Sequence, residues 1–566
     1  MPIHSRWTVP IPEVSLQTWL FGSSNEPLSD QKIFLDADNP KTNYLTLSGY
    51  RLMSKRIALG LQRAGLQRGD RVLVFSGNNI YYPNIFMGII MAGGIFTGAG
   101  PAATSAELAR QLQDSGARFL IAATDNIAVA LEAASRAGLP KDHIYAFDGL
   151  LERASPGDLV GVKYWTDILA NAAEAEKFAW VEPEDPRSTT CCLNYSSGTT
   201  GAPKGVKITH YSYVANGQVI VHIAHLDPNW NAELKSKSNI CCMPMYHAAG
   251  QTFFIVNQSK LQVPTYVMPA YSFEKLLRHI HEFRITCLLA APPVLLKLAK
   301  SPLTEKHDLK SLDQVVCGTA PLAPDVAETV DRKLWPNGGK SFVRQGWGMT
   351  EFTCNGTLWA SGDDEKSTSI GELVPNASLK IMDVEGTGQE ITTPHTSGEL
   401  WIAGPAMMKG YWRNPTATQE IIVEENGVRW LKTGDIVYVD RAEPGAKIFI
   451  TDRIKELIKV RGFQVSPAEL EATLLTHQSV VDAGVVGVVV DGNKVPRAYI
   501  VKRPDSDVTA NDIANWIKGQ VANYKWLKGG VVFVESIPRN PTGKILRRIL
   551  RERAKREVGD LKGKLA

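Results

Sequence analysis

Short apolar runs alternate with amphipathic stretches along most of this chain. Arg71–Phe75 and Arg118–Ala122 have the compact apolar character of strands, whereas Ser48–Ala64 and Ser105–Ser115 repeat apolar residues at helical spacing. That alternation predicts α/β layers with parallel sheets. The most apolar segment, Ile80 to Ala103, contains Pro83, Asn84 and several glycines, which suits a core helix followed by a turn better than a membrane span. Near the end, Arg547 to Lys564 mixes Arg and Lys with Glu552, Glu557 and Asp560 at helical spacing. It shows no apolar stripe, so a solvated helix face is expected and membrane attachment is not. Where the strand-like KIFIT meets the charged DRIKE, a fresh strand-and-helix pattern begins. This places a domain boundary near Thr451–Asp452, with one domain over residues 1–451 and a second over 452–566.

A chain of 566 residues is too long for one core, consistent with that division. Its 44% apolar and 21% charged residues describe an ordinary globular protein, and a net charge of +4 is too small to mark a nucleic-acid binder. Seven cysteines include the adjacent pairs Cys191–Cys192 and Cys241–Cys242 in strand-like runs. Neighbours on a strand face opposite ways and no CxxC occurs, so buried thiols in a reducing compartment are expected rather than disulfides or a metal site. The N-terminal stretch lacks the basic and apolar regions of a secretory signal. The cytoplasm is the expected location. The terminal Lys564-Leu565-Ala566 resembles a peroxisomal tripeptide without being SKL, which keeps that compartment as an alternative.

The densest chemistry lies in YSSGTTGAPKGV, Tyr195 to Val206, directly after the strand-like Thr189–Tyr195. Gly198, Gly201 and Gly205 let backbone amides approach an anion closely. Ser196, Ser197, Thr199 and Thr200 add neutral donors, and Lys204 adds a mobile positive charge suited to polyphosphate. Composition alone leaves a flexible surface loop as an equal reading. The spacing is not that of a P-loop, since Lys204 follows Gly201 by three positions and precedes Gly205.

In length and order the stretch resembles the phosphate loop of the adenylate-forming superfamily, which includes acyl- and aryl-CoA synthetases, 4-coumarate-CoA ligases, firefly luciferase and peptide-synthetase adenylation domains. The resemblance continues through QGWGMTE (Gln345 to Glu351), KTGD (Lys432 to Asp435), DRIKELIKVRGFQVSPAELE (Asp452 to Glu471) and PRNPTGKILRR (Pro538 to Arg548). It implies a large α/β N-terminal domain of several subdomains and a small, mobile α+β C-terminal domain. It also implies an ATP-dependent acid–CoA ligase that forms an acyl adenylate, with ATP, Mg²⁺ and coenzyme A as its small molecules.

The resemblance assigns residues to steps. Glu351 is implied as the magnesium ligand, which suits a hard oxygen donor. Gln345, Gly346, Trp347, Gly348, Met349 and Thr350 fall in the nucleotide segment, with Trp347 where tyrosine is usual. Gly318, Thr319, Ala320 and Pro321 border adenine and the acyl group, with Thr319 where glycine or alanine is usual. Asp435 and Arg453 are implied at the ribose, and Lys455 at the hinge between domains. Lys544 is implied to bridge carboxylate and α-phosphate during adenylation.

Lys459 and Gln464 are implied in thioester formation, with Arg461 and Gly462 along the CoA arm. Lys459 and Lys544 are thereby expected on opposite faces of one mobile domain. His247, in MPMYHAAG, matches a position where amino-acid-activating relatives carry aspartate, so an acid without an α-ammonium is favoured. His247, Thr319, Gly346 and Cys354 are the acyl-pocket candidates. After QGWGMTE come Phe352, Thr353, Cys354, Asn355 and Gly356, and Ala249 stands where plant 4-coumarate ligases carry tyrosine. These departures lead away from hydroxycinnamate and leave a medium-chain fatty acid or another aryl acid equally defensible. The chain stops soon after Lys544, which favours free CoA over a carrier protein, although a free-standing ligase that loads a carrier remains the alternative.

Overall fold

The computed structural model describes the chain except residues 152–160, 197–202, 337–340, 361–362, 364–365, 385–387, 461–462, 491–492 and 564–566, and the side chains of 463 and 558–563. Two large sheets form the frame. In the first, six parallel strands run in the order Thr190–Ser196, Ile95–Ala99, Arg71–Phe75, Ala117–Ala123, Ile144–Phe147 and Lys163–Tyr164. Lys204–Thr209 and then Gly410–Tyr411 extend it antiparallel. The second orders Val343–Gln345, Gln314–Cys317, Cys287–Ala290, Asn239–Cys241, Thr265–Val267 and Lys32–Asp36 in parallel, with Tyr44–Thr46 antiparallel at its edge. Val72, Leu73, Val74 and Phe75 are all fully buried, as strands covered on both faces must be.

The α/β reading therefore holds, with three local differences. The apolar run from Ile80 splits into a helix, Tyr82–Met91, and a buried strand, Ile95–Ala99. Gly93, at φ +82°, turns the chain between them. The strand expected to end at Thr451 continues to Arg453, placing Arg453 opposite Asp435. The last helix, Arg547–Gly563, carries a stripe the charged composition hides. Leu550 and Ala554, one turn apart, are buried against Val486, Tyr499 and Ile537. Arg547 at its start is buried between Glu456 (3.0 Å) and Glu471 (2.7 Å), so this helix is a packed element rather than a solvated face.

A third sheet, antiparallel and six-stranded, adds Ser378–Met382, Gly398–Ala403, Val428–Val439 and Ile448–Arg453 to the large domain. The smaller C-terminal domain is α+β, built on Val480–Val490, Asn493–Lys502 and Val531–Phe533. Among the described residues no helix is long and apolar enough to cross a membrane.

Candidate active site

Parallel strands deliver their C-terminal ends to one edge, and loops leaving that edge build the site. Gly318 leaves Gln314–Cys317 and Gly346 leaves Val343–Gln345, their amides bonded to Ala290 O (3.1 Å) and Cys317 O (2.8 Å). A cavity of about 1050 Å³ opens there. His247, Gly318, Thr319, Gly346 and Cys354 line it, which unites the acyl-pocket candidates.

On the nucleotide side, Ser196 and Lys204 face each other in register at the ends of paired strands, and both line the cavity. Ser197, Gly198, Thr199, Thr200 and Gly201, between them, lie outside the described residues. Glu351 is buried and lines the same cavity, where the Tyr411 hydroxyl donates to its Oε1 at 2.8 Å. The Lys204 ammonium sits 5.0 Å from the Tyr411 ring centre, so one tyrosine ties the loop lysine to the carboxylate. Thr350, Met349 and Gly348 complete this wall. Gly348 has no substitute, since a Cβ there would stand 1.5 Å from Cys354 O on the partner strand.

Trp347 is 8% exposed, and its ring lies where a side chain on Gly356 would be. Its indole N–H donates to Asp435 Oδ2 at 2.8 Å, and Arg453 Nε meets Oδ1 at 2.7 Å. Asp435 is thus 0% exposed and held by both, behind the cavity wall rather than on it. Gln345 is also a supporting residue. Its Oε1 accepts from the Leu322 amide (2.8 Å), fastening the turn that contains Ala320 and Pro321.

Lys544 arrives on a preformed loop of the smaller domain. Asn540 Oδ1 accepts from the Lys544 amide (2.9 Å) and from Thr542, while Arg539 binds Gly543 O (2.8 Å) and Asp482 (2.8 Å). Gly543, at φ +84°, passes so close to Ala291 and Pro293 that a Cβ would stand about 3 Å from each. The Thr319 hydroxyl donates to Thr542 O at 2.9 Å across the domains. Burial, with Arg453 nearby, pushes the Lys544 ammonium down to about 8. Burial and then Lys544 push His247 down to about 4, so its imidazole is neutral near pH 7.

This site sits in a chain whose residues 28–412 match the AMP-binding enzyme family, with residues 469–544 matching that family's C-terminal domain. The chain belongs to the AMP-binding enzyme family. It is 34% identical over 550 residues to the phenylacetyl-CoA ligase epaB of Aspergillus niger, covering 96% of this chain and 98% of that one. It is 34% identical over 547 residues to the acyl-CoA ligase azaF of the same species, covering 96% and 99%. ATP-bound MatB from Rhodopseudomonas palustris shares the fold, with a TM-score of 0.79 at 24% identity over 96% of this chain and 99% of that one. The chemistry is accordingly adenylate-forming activation of an acid.

In this AMP-binding enzyme Lys459 and Gln464, assigned to the second step, are not among the residues that line the cavity. Lys459 and Gln464 pair in register on the hairpin formed by Ile458–Val460 and Phe463–Val465, and Lys459 is exposed. Arg461 and Gly462 lie outside the described residues. Lys455, like Arg453, lines the cavity. Tyr411, Asn540 and Thr542 carry functional contacts that no sequence expectation named. Asn540 stood within the quoted PRNPTGK motif, whereas Tyr411 has no local signal, because its partners lie 60 and about 200 positions away.

Proposed function

We propose that this AMP-binding enzyme is an acid–CoA ligase acting on a small aryl or fatty carboxylic acid. The observation that carries this reading is the meeting of Lys544, His247 and Glu351, from two domains, around one cavity. A carboxylate oxygen attacks the α-phosphorus of ATP, the bond to the β-phosphate oxygen breaks, and pyrophosphate leaves. Lys544 supplies the movable counter-charge for the oxygens gathering negative charge. Glu351, a buried hard-oxygen donor linked to Lys204 through Tyr411, fits Mg²⁺ held jointly with the phosphates. That ion would neutralise the polyphosphate. The CoA sulfur then attacks the acyl carbon, its proton is released, and AMP departs.

The hairpin that carries the exposed Lys459, with Gln464 opposite it, serves this second step once the smaller domain has turned, with Lys455 at the hinge. Two relatives named as CoA ligases along nearly their whole length support CoA as acceptor. The test is release of AMP and pyrophosphate from ATP with cinnamic, benzoic, phenylacetic and fatty acids, each with and without CoA. Turnover that needs CoA and yields a thioester is expected. An adenylate that CoA fails to discharge would overturn this reading in favour of a carrier protein.

A further inference from the structure

The cavity does not stop at the reacting groups. It follows one face of the second sheet, lined by alternate residues Gln314 and Val316 on one strand, with Gly318 just past its end, and Cys287 and Leu289 on the neighbouring strand. From Gly318 back to Gln314 the extended chain spans about 13 Å, so the cavity continues that far from the catalytic end. Its lining also includes a stripe at four-residue spacing, Ala249, Phe253, Asn257 and Leu261. The segment Gln251–Asn257 is a π-helix, a rare widened turn that recurs at functional sites.

The middle of this passage is apolar and its far end is not. Asn257 borders the cavity there, is 0% exposed, and neither its Oδ1 nor its Nδ2 has a hydrogen-bond partner among the described residues. Asn239 and Gln258 stand beside it in the same lining, joined by an Nδ2–Oε1 bond of 2.9 Å that leaves Asn239 Oδ1 without a partner. Buried amides are ordinarily satisfied, and exceptions ask for an occupant.

Resting on the ligase reading above, we infer that the acid is elongate, with an apolar middle and a hydrogen-bonding hydroxyl, carbonyl or amide at the end away from its carboxylate, received by Asn257. The amide offers both a donor and an acceptor, which suits a neutral polar group.

The probes are decanoic acid and its ω-hydroxy derivative, compared by pyrophosphate release without CoA in the wild type and in Asn257→Leu. The wild type should favour the hydroxy acid by about tenfold in kcat/KM, since sites built to bond a hydroxyl reject analogues lacking it. Asn257→Leu should bring that ratio to about one through loss on the hydroxy acid alone. A wild-type ratio near one, or equal losses on both acids in the variant, overturns the inference. The wild-type ratio decides by itself if the variant does not fold. Failure of CoA to discharge either adenylate would sink the ligase reading while leaving this ratio readable. If neither acid is adenylated, calorimetric titration of both decides, and equal or absent binding overturns the inference.

Discussion

Two lysines of the smaller domain occupy opposite settings. Lys544 lies inside the cavity on a loop clamped by Asn540 and Arg539, with its ammonium pushed down to about 8. Lys459 stands exposed on a short hairpin beyond the cavity lining. A charge whose position must be accurate is held by hydrogen bonds and desolvated, which strengthens its field at the phosphate. The exposed Lys459 charge is left hydrated. On the ligase reading proposed above, the described arrangement suits adenylation, and Lys459 serves an arrangement in which the domain has moved.

The sharpest break of this contrast is Lys544→Ala. Pyrophosphate exchange should fall about 10³-fold, while discharge of a supplied acyl adenylate to CoA changes little. Equal loss in both half-reactions would remove the division of labour. The same lysine sets a pH limit. Its cation is lost as pH rises through about 8, so kcat/KM for ATP should decline above that value, and Lys544→Arg should move the decline upward. Stability should run the other way. The unfolded lysine keeps its proton to about 10.5, so between about 8 and 10.5 the unfolded chain binds more protons and stability rises with pH.

Lys459→Ala should show the mirror pattern with a smaller amplitude. Thioester formation should fall about 10²-fold and pyrophosphate exchange should hold, as measured in separate single-turnover assays. A loss in the exchange reaction would place Lys459 in the first step, against its exposed position.

The same divide governs what could be read from the chain. Arg71–Phe75 and Ser105–Ser115 have the bounds their periodicity predicted, because each buries one regular pattern. Ile95–Ala99 was hidden because a buried strand following a buried helix shows no change of period. The stripe of Leu550 and Ala554 was masked by the charges around it. Within the site, Lys544, Glu351 and Lys204 are carried by local motifs, and all three line one cavity. Tyr411 makes its contacts with residues that only the fold brings near it, and the burial of Asp435 involves Trp347, a residue 88 positions away.

That Trp347–Asp435 contact sets the next effect in size. Trp347→Phe keeps an aromatic face and deletes the N–H donor to a buried carboxylate, a bond worth about 1.5–3 kcal/mol. The KM for ATP should rise about tenfold, with Arg453 left as the clamp on Asp435. A KM within twofold of wild type would show that Arg453 alone positions this carboxylate.

Thr319 is expected to give the smallest effect and the finest test of how Lys544 is seated. Its backbone sits at φ +75°, a strained region for a β-branched residue, while its hydroxyl bonds Thr542 two residues before Lys544. Thr319→Ala removes the hydroxyl and keeps most of the strain, whereas Thr319→Gly removes both. Pyrophosphate exchange should fall about threefold in each, reflecting one lost hydrogen bond of roughly 1 kcal/mol between the domains. Thermal unfolding should separate them, with the glycine variant about 1 kcal/mol the more stable of the two. If the alanine variant keeps full exchange activity, the Asn540 and Arg539 clamps seat Lys544 without help from the larger domain. The contrast between the two lysines then rests on the loop alone.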